Sequence, residues 1–291
     1  MTWQFVIAGA AVGTLVGMTG MGGGSLMTPM LILIFGFDPR TAVGTDILHG
    51  AVFKSFGAWR HRRLGNVHAR LALWMLAGSG PLSLVGVQLA SSFSDSAQSV
   101  MGQVVGASLI FGGLGFAAKT FLPVAARPDD DHFAITPRVR AIAITIGAFF
   151  GFIVGLTSVG SGTFFGLALL LLFPLSATRM VGTDLLHAAL LLWVAGAGHL
   201  LHGNVDLHAM AWLLVGSIPG VILGSHLAIR VPDGMLRGSF AVVLVLSGIK
   251  LVKAPAANTI VEVGAGVSVA ALVLWSLWSL RARRLPAHDA A

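Results

Sequence analysis

The sequence predicts an all-α integral membrane protein made of two inverted-topology repeats. Each repeat is a broken-helix hairpin followed by about three transmembrane helices, and one extra transmembrane helix closes the chain. Three observations predict this. The 291 residues are 56% hydrophobic and only 10% charged, too little polar surface to cover a water-soluble globule of that length. Apolar runs long enough to cross about 30 Å of hydrocarbon recur along the chain. The first half also returns, without a gap, 138 positions further on.

The repeat is read directly from residue pairs. Gly17 maps to Gly155, Gly22 to Gly160 and Gly24 to Gly162. The run Val43-Gly44-Thr45-Asp46-Ile47-Leu48-His49 maps to Val181-Gly182-Thr183-Asp184-Leu185-Leu186-His187, and Gly65-Asn66-Val67 maps to Gly203-Asn204-Val205. Duplicated halves in an apolar chain are how many transporters build a site at the seam between repeats. The repeats are expected over 1–122 and 139–255. A cytoplasmic linker at 123–138, with Pro123, Pro128 and Asp129-Asp130-Asp131, joins them. Residues 256–291 supply the C-terminal transmembrane helix and tail.

Loop charge sets the orientation. The segment Arg60 to Arg70 carries Arg60, Arg62, Arg63 and Arg70, whereas its counterpart, Gly198 to His208, carries no Lys or Arg. Parallel repeats would put both loops on one side and cancel the bias. With the first loop inside and the second outside, Arg127, Arg138, Arg140, Arg179, Arg230, Arg237 and the tail Arg281, Arg283 and Arg284 also fall inside. The positive-inside rule then gives inverted repeats, N-terminus out and C-terminus in the cytoplasm. Membrane orientation accounts for the basic excess, so no nucleic-acid partner is invoked. Without cysteine there is no disulfide or thiolate site. The N-terminus lacks the basic start of a secretory signal.

This topology requires the first apolar stretch of each repeat to enter and leave on one side. Residues 5–36 would make about 48 Å of helix, too long for one crossing. They split at Gly20-Met21-Gly22-Gly23-Gly24-Ser25, and the second copy splits at Ser158-Val159-Gly160-Ser161-Gly162-Thr163. A non-helical break at membrane depth is tolerated only inside protein or against water. Ser25 and Thr163 are suited to capping the half-helices that follow. The amides and positive dipole ends there would favour a small anion. The candidate substrate-binding set is therefore Gly22, Gly23, Gly24, Ser25, Gly160, Ser161, Gly162 and Thr163, beside the plainer reading that these glycines only let helices pack closely.

The duplicated glycine-rich break, the Val-Gly-Thr segment about 20 residues later and the Gly-Asn-Val turn resemble the sulfite exporter TauE/SafE family. The resemblance covers nearly the whole chain except the linker and the last helix. It implies a multi-pass permease of the bacterial inner membrane that moves sulfite, sulfonates or related sulfur anions outward. It does not imply an enzyme or a cofactor. Sulfur as the substrate comes from the resemblance alone. One departure stands out: Thr28-Pro29 in the first hairpin becomes Gly166-Leu167 in the second.

Asp46 with His49 and Asp184 with His187 share a helix face at spacing three. They could relay protons or touch substrate. Alternatively, Thr45 and Thr183 cap their helices and the aspartates sit in the first turn. Lys54 falls mid-span opposite Leu192 in the alignment. It is either an anion contact or a side chain snorkelling towards Arg60. His199, His202 and His208 have metal-like spacing, but solvated histidines in an external loop account for them, and no metal site is assigned. A divalent-metal transporter using the Asp-x-x-His pairs is the alternative function. No phosphate-binding loop or hydrolase motif is present. Membrane lipid is the expected surround; a homo-oligomer is compatible with the class, and no motif decides it.

Overall fold

The computed structural model describes residues 2–19, 24–94, 97–121, 133–227 and 233–267. Among these residues every regular element is helical. The elements are α1 (Thr2–Thr19), α2 (Gly24–Leu33), α3 (Pro39–Arg63), α4 (Ala69–Ser92), α5 (Gln98–Phe121), α6 (Pro137–Thr157), α7 (Phe164–Leu172), α8 (Ala177–Leu201), α9 (Leu207–Leu227) and α10 (Asp233–Val252). Helical backbone also runs over 257–267, the start of the expected last helix. Gly20 to Gly23, most of the linker, and the rest of the C-terminal helix with its arginines lie outside the described residues.

Among the described residues six helices are long and apolar enough to cross a membrane: α4, α5, α6, α8, α9 and α10. The expectation of seven full spans is altered at two places. Although 25 residues long, α3 carries Lys54 and ends on Arg60, His61, Arg62 and Arg63, so protein rather than lipid must shelter its centre. The first arm of the second hairpin, α6, is itself of spanning length at 21 residues. Only the second arms are short, with 10 residues in α2 and 9 in α7. At 1.5 Å per residue each covers about half of the hydrocarbon.

Both hairpins close on themselves. Phe5 near the start of α1 packs on Phe35 just past α2, ring centroids 4.7 Å apart. Phe133 before α6 meets Phe173 after α7 at 6.3 Å. Each pair of arms thus leaves from the level at which it entered, and the second break is buried. Ser158, Ser161 and Thr163 are all almost wholly covered.

Capping differs from expectation, and the reason is local. Asp38 caps α3 by accepting from the Thr41 amide, with Pro39 at the first helical position. Ser176 caps α8 in the same way. Thr45 and Thr183 therefore lie in the second turn and do not cap their own helices. Each instead serves the other half of the chain. Thr45 Oγ1 accepts from the amide of Asp206, just before α9, and Thr183 Oγ1 accepts from that of His68, just before α4, both at 2.9 Å.

Helix pairing follows the repeat. α1 runs parallel along α9, and α6 runs parallel along α4. α3 lies antiparallel to α8, with Gly50 facing Leu192 and Gly57 facing Leu185. α5 lies antiparallel to α10, where Gly106 and Gly248 meet. Close approach is set by glycine. A Cβ on Gly13 would overlap the Ser217 backbone, and one on Gly151 would overlap that of Ser79. Small residues at contact faces are how helices associate in lipid, where apolar burial supplies no drive. Met27, Leu31, Ile47, Leu71, Met75, Phe165 and Leu191 fill the centre around these contacts.

Candidate functional site

The second break is built from backbone geometry that few residues accept. α6 stops at Ser158, which takes a left-handed conformation at φ 64 and donates its amide to the Val154 carbonyl. Gly160 follows at φ +106, where a side chain would be strained and would run into the Phe164 ring. Thr163 occupies the position before α7 but makes no side-chain cap bond, contrary to the expectation that it would cap. Its hydroxyl is buried without a partner among the described residues. Ser25 lies inside the first turn of α2, because that helix already begins at Gly24. Gly22 and Gly23 lie outside the described residues.

Lys54 crosses from α3 into this break. Its Nζ donates to the Ser161 carbonyl oxygen at 2.6 Å and to Ser161 Oγ at 2.8 Å. The side chain is 2% exposed, so it does not snorkel to the surface. An ammonium has three N–H donors. Two are spent on Ser161, which leaves one for a ligand among the described contacts. A lone buried ammonium is costly, and pairing with charge or dipole is what keeps it. Asp46 and Asp184 both lie within electrostatic reach of it.

Asp46 ties the second break to α2 of the first hairpin. Its Oδ2 accepts from Thr28 Oγ1 of α2 at 2.6 Å and from Ser158 Oγ at 2.7 Å. Asp46 Oδ1 has no partner among the described residues. Asp184 is buried at the equivalent place on α8, where Thr28 and Ser158 have Gly166 and Gly20 as counterparts. The histidines do not pair with the aspartates three residues before them. His49 Nε2 bonds Ser217 Oγ of α9, and His187 Nε2 bonds Ser79 Oγ of α4, each at 2.9 Å. The carboxylate–imidazole relay within each pair is therefore not formed, because both rings reach across to the other half.

A cavity of about 440 Å³ leads to Lys54 from the end of α3 that carries Arg60 and His61. Gly17, Phe53, Val181 and Ile218 are among its walls. A second, separate space of about 10 Å³ adjoins Lys54 and is bounded by Asp46, His49 and Ser217. A space that size admits a water molecule at most. The matching space at the other end is closed. His199 is fully buried, and its Nε2 meets the Gly155 carbonyl oxygen at 2.9 Å.

That burial corrects the reading of His199 as a solvated loop residue. His202 bonds Gly198 and Gln88, and His208 lies against Trp212, so the three do not converge. Among the described residues no three His, Cys, Asp or Glu side chains gather to hold a metal ion. Sequence reasoning missed Thr28, Ser158, Ser79, Ser217, His61 and His199 as site or closure residues. Ser79 and Ser217 were findable, being serines at one place in both repeats within apolar helices. Ser158 was readable as part of the break, but its bond to Asp46 was not, because the two lie 112 positions apart.

Similarity to known proteins fits this arrangement. A family profile described as sulfite exporter TauE/SafE matches residues 5–251. The probable membrane transporter protein YjnA of Bacillus subtilis (strain 168) is 37% identical over 255 residues, covering 87% of this chain and 100% of its own. Two further proteins of that organism bear the same description. YdhB is 24% identical over 82% of this chain and 96% of its own, and YunE is 26% identical over 85% and 96%. No solved structure matches the chain.

Proposed function

The chain is a membrane transporter of the sulfite exporter TauE/SafE family, and from that premise we propose that it exports a small oxidised-sulfur anion, sulfite or an organosulfonate, by alternating access. The observation that carries this reading is Lys54, a buried ammonium bonded to Ser161 in the second break and reached by a cavity from the Arg60 end of α3. A cation beside the start of α7 favours an anion there. The buried, unpartnered hydroxyl of Thr163 adds a donor at the same helix start. Gly160, Ser161, Gly162 and Thr163 then form the substrate cradle, with Gly22, Gly23, Gly24 and Ser25 as its counterpart in the first half.

The antiparallel courses of α3 against α8 and α5 against α10 support inverted repeats. With the Arg60 end in the cytoplasm of a bacterial inner-membrane protein, the cavity faces inward and His199 closes the outer end. Arg60 draws an anion to the mouth, and Lys54 receives it. In the opposite state His61 would close on Gly17 as His199 now closes on Gly155. The membrane potential, negative inside, drives an anion outward. The water-sized space bounded by Lys54, Asp46, His49 and Ser217 supports proton coupling through Asp46 and His49, with Asp184 and His187 as their counterparts.

The test is uptake of radiolabelled sulfite into proteoliposomes with and without a pH gradient, beside empty liposomes. Protein-dependent uptake should fall at least about tenfold in Lys54→Leu, from loss of charge-assisted hydrogen bonds, and survive in Leu192→Ala. Uptake unchanged in folded Lys54→Leu would move the site elsewhere. No protein-dependent uptake by the folded protein would remove sulfite.

A further inference from the structure

The cavity that ends at Lys54 also opens sideways. Phe56 of α3 and Ile218 and Ile222 of α9 line it, yet all three are exposed on the outer surface of the bundle. Between these two helices the cavity therefore meets the bilayer through a slot edged with hydrocarbon. At the Arg60 end the slot meets charge. Phe56, Trp59, Arg60 and Arg63 follow one another at spacings of three and four, so they share one face of α3. Trp59, Arg60 and Arg63 are exposed, and the Arg63 guanidinium lies 4.2 Å from the centre of the Trp59 ring. Tryptophan beside arginine at a helix end marks the level of lipid headgroups. Among the described residues neither arginine pairs with a carboxylate. The second half lacks this face: the counterparts of Phe56, Trp59, Arg60 and Arg63 are Val194, Ala197, Gly198 and Leu201.

We infer that the slot between α3 and α9 binds one anionic phospholipid of the cytoplasmic leaflet, its phosphate on Arg60 and Arg63 and one acyl chain along Phe56, Ile218 and Ile222. A chain descending from a headgroup at the membrane surface runs in the direction of α3 from Arg60 towards Phe56, so one molecule reaches both parts of the site. The apolar edge accepts any acyl chain and does not discriminate between lipids. Discrimination comes from the two arginines, because basic side chains at the membrane surface attract anionic headgroups, and a guanidinium fork matches a phosphate. The phosphate stays at the mouth, about 9 Å along the helix axis from Lys54. The lipid site is therefore distinct from the Lys54 contact. It depends on the Arg60 end facing the cytoplasm and not on which anion is carried.

The test is native mass spectrometry of the protein released from nanodiscs of phosphatidylglycerol and phosphatidylcholine in equal amounts and with matched chains. The protein should retain one phosphatidylglycerol in preference to phosphatidylcholine. That preference should fall about fivefold in Arg60→Gln and again in Arg63→Gln. Arg62→Gln, which removes a charge from another face of α3, should leave it nearly unchanged, as should Lys54→Leu. All of the arginines are exposed, so these variants should fold. Equal retention of the two lipids overturns the inference and leaves the slot to bulk lipid. A preference that survives in both Arg60→Gln and Arg63→Gln, or that falls as far in Arg62→Gln, also overturns it, because general attraction to the basic loop would then suffice. Loss of the preference in Lys54→Leu would put the phosphate in the anion site and overturn the placement. A preference that behaves as expected without sulfite uptake keeps the lipid site and removes sulfite export. Sulfite uptake without any lipid preference does the reverse.

Discussion

Lys54 and Leu192 occupy the same place in the two halves and do opposite things. Lys54 reaches into the second break and ends a cavity; Leu192 is buried against Gly50 in the packing between α3 and α8. The histidines one turn from the ends of α3 and α8 differ in the same way. His61 lines open space beside Gly17, while His199 is bonded to Gly155. By contrast, the contacts that hold the helices together are matched pair by pair: Thr45 with Thr183, His49 with His187, Gly13 with Gly151. The lesson is a division of labour. What the repeat shares builds the bundle, and where it departs from itself the two ends differ, one open at His61 and the other closed at His199.

The glycine contacts should show the equality most strongly. Gly13→Leu and Gly151→Leu each force a side chain into the backbone of a parallel neighbour, and each should cost about 3 kcal/mol or prevent folding. Thermal unfolding of the purified variants checks this. A clear difference between the two would break the claim that packing is symmetric.

Accessibility should show the inequality. The chain has no cysteine, so a single introduced thiol is a clean reporter. Val181 lines the cavity, and its counterpart Val43 is fully buried. A water-soluble thiol reagent should modify Val181→Cys readily and Val43→Cys hardly at all. His199→Ala leaves a void beside Gly44 and should raise labelling of Val43→Cys several-fold. Equal labelling in the unaltered background would mean that both ends open alike.

The smallest effect lies outside the membrane, at the starts of α4 and α9. His68 Nδ1 accepts from the Leu71 amide, and Asp206 Oδ1 accepts from that of Ala209. Burial, helped by Arg179 and Arg70, pushes the His68 imidazole below the ordinary histidine value, against smaller opposing hydrogen bonds. Only the neutral ring accepts, and the folded pKa lies below the unfolded one. This cap is therefore intact above the ordinary histidine value of about 6.5 and is lost as pH falls through the folded value. A cap is worth about 1 kcal/mol, so acid should lower the protection factors of the amides at the start of α4, relative to their intrinsic exchange rates at each pH, about fivefold. Asp206→His should give α9 the same acid sensitivity. Absence of that transfer would show that the caps do not set local stability.

Much of the architecture was legible from residue types because lipid leaves a chain few options. Backbone groups must be satisfied within a helix, spans must match the bilayer, and charges must gather in loops on one side. Gly160 and Ser161 were readable as a break, since glycine and serine interrupt an apolar run too long for one crossing at the same place in both copies. Thr45 and Thr183 were misread because the true caps, Asp38 and Ser176, lie before the apolar runs that marked the spans. The pairing of Asp46 with His49 was likewise inferred from spacing on one helix, although Ser217 and Ser79 of other helices offered the imidazoles better partners.

By itself the sequence determined the membrane class, the duplication, the positions of the breaks and the family to which the chain belongs, because composition and repetition are properties of the chain in order. Only the tertiary structure decided that Lys54 meets Ser161, that Asp46 ties Thr28 to Ser158, and that one end is open while the other is shut. Those contacts join residues up to 112 positions apart among these pairs. They are chosen by which donors and acceptors become neighbours once glycine faces have locked the helices together, and no local pattern encodes that choice.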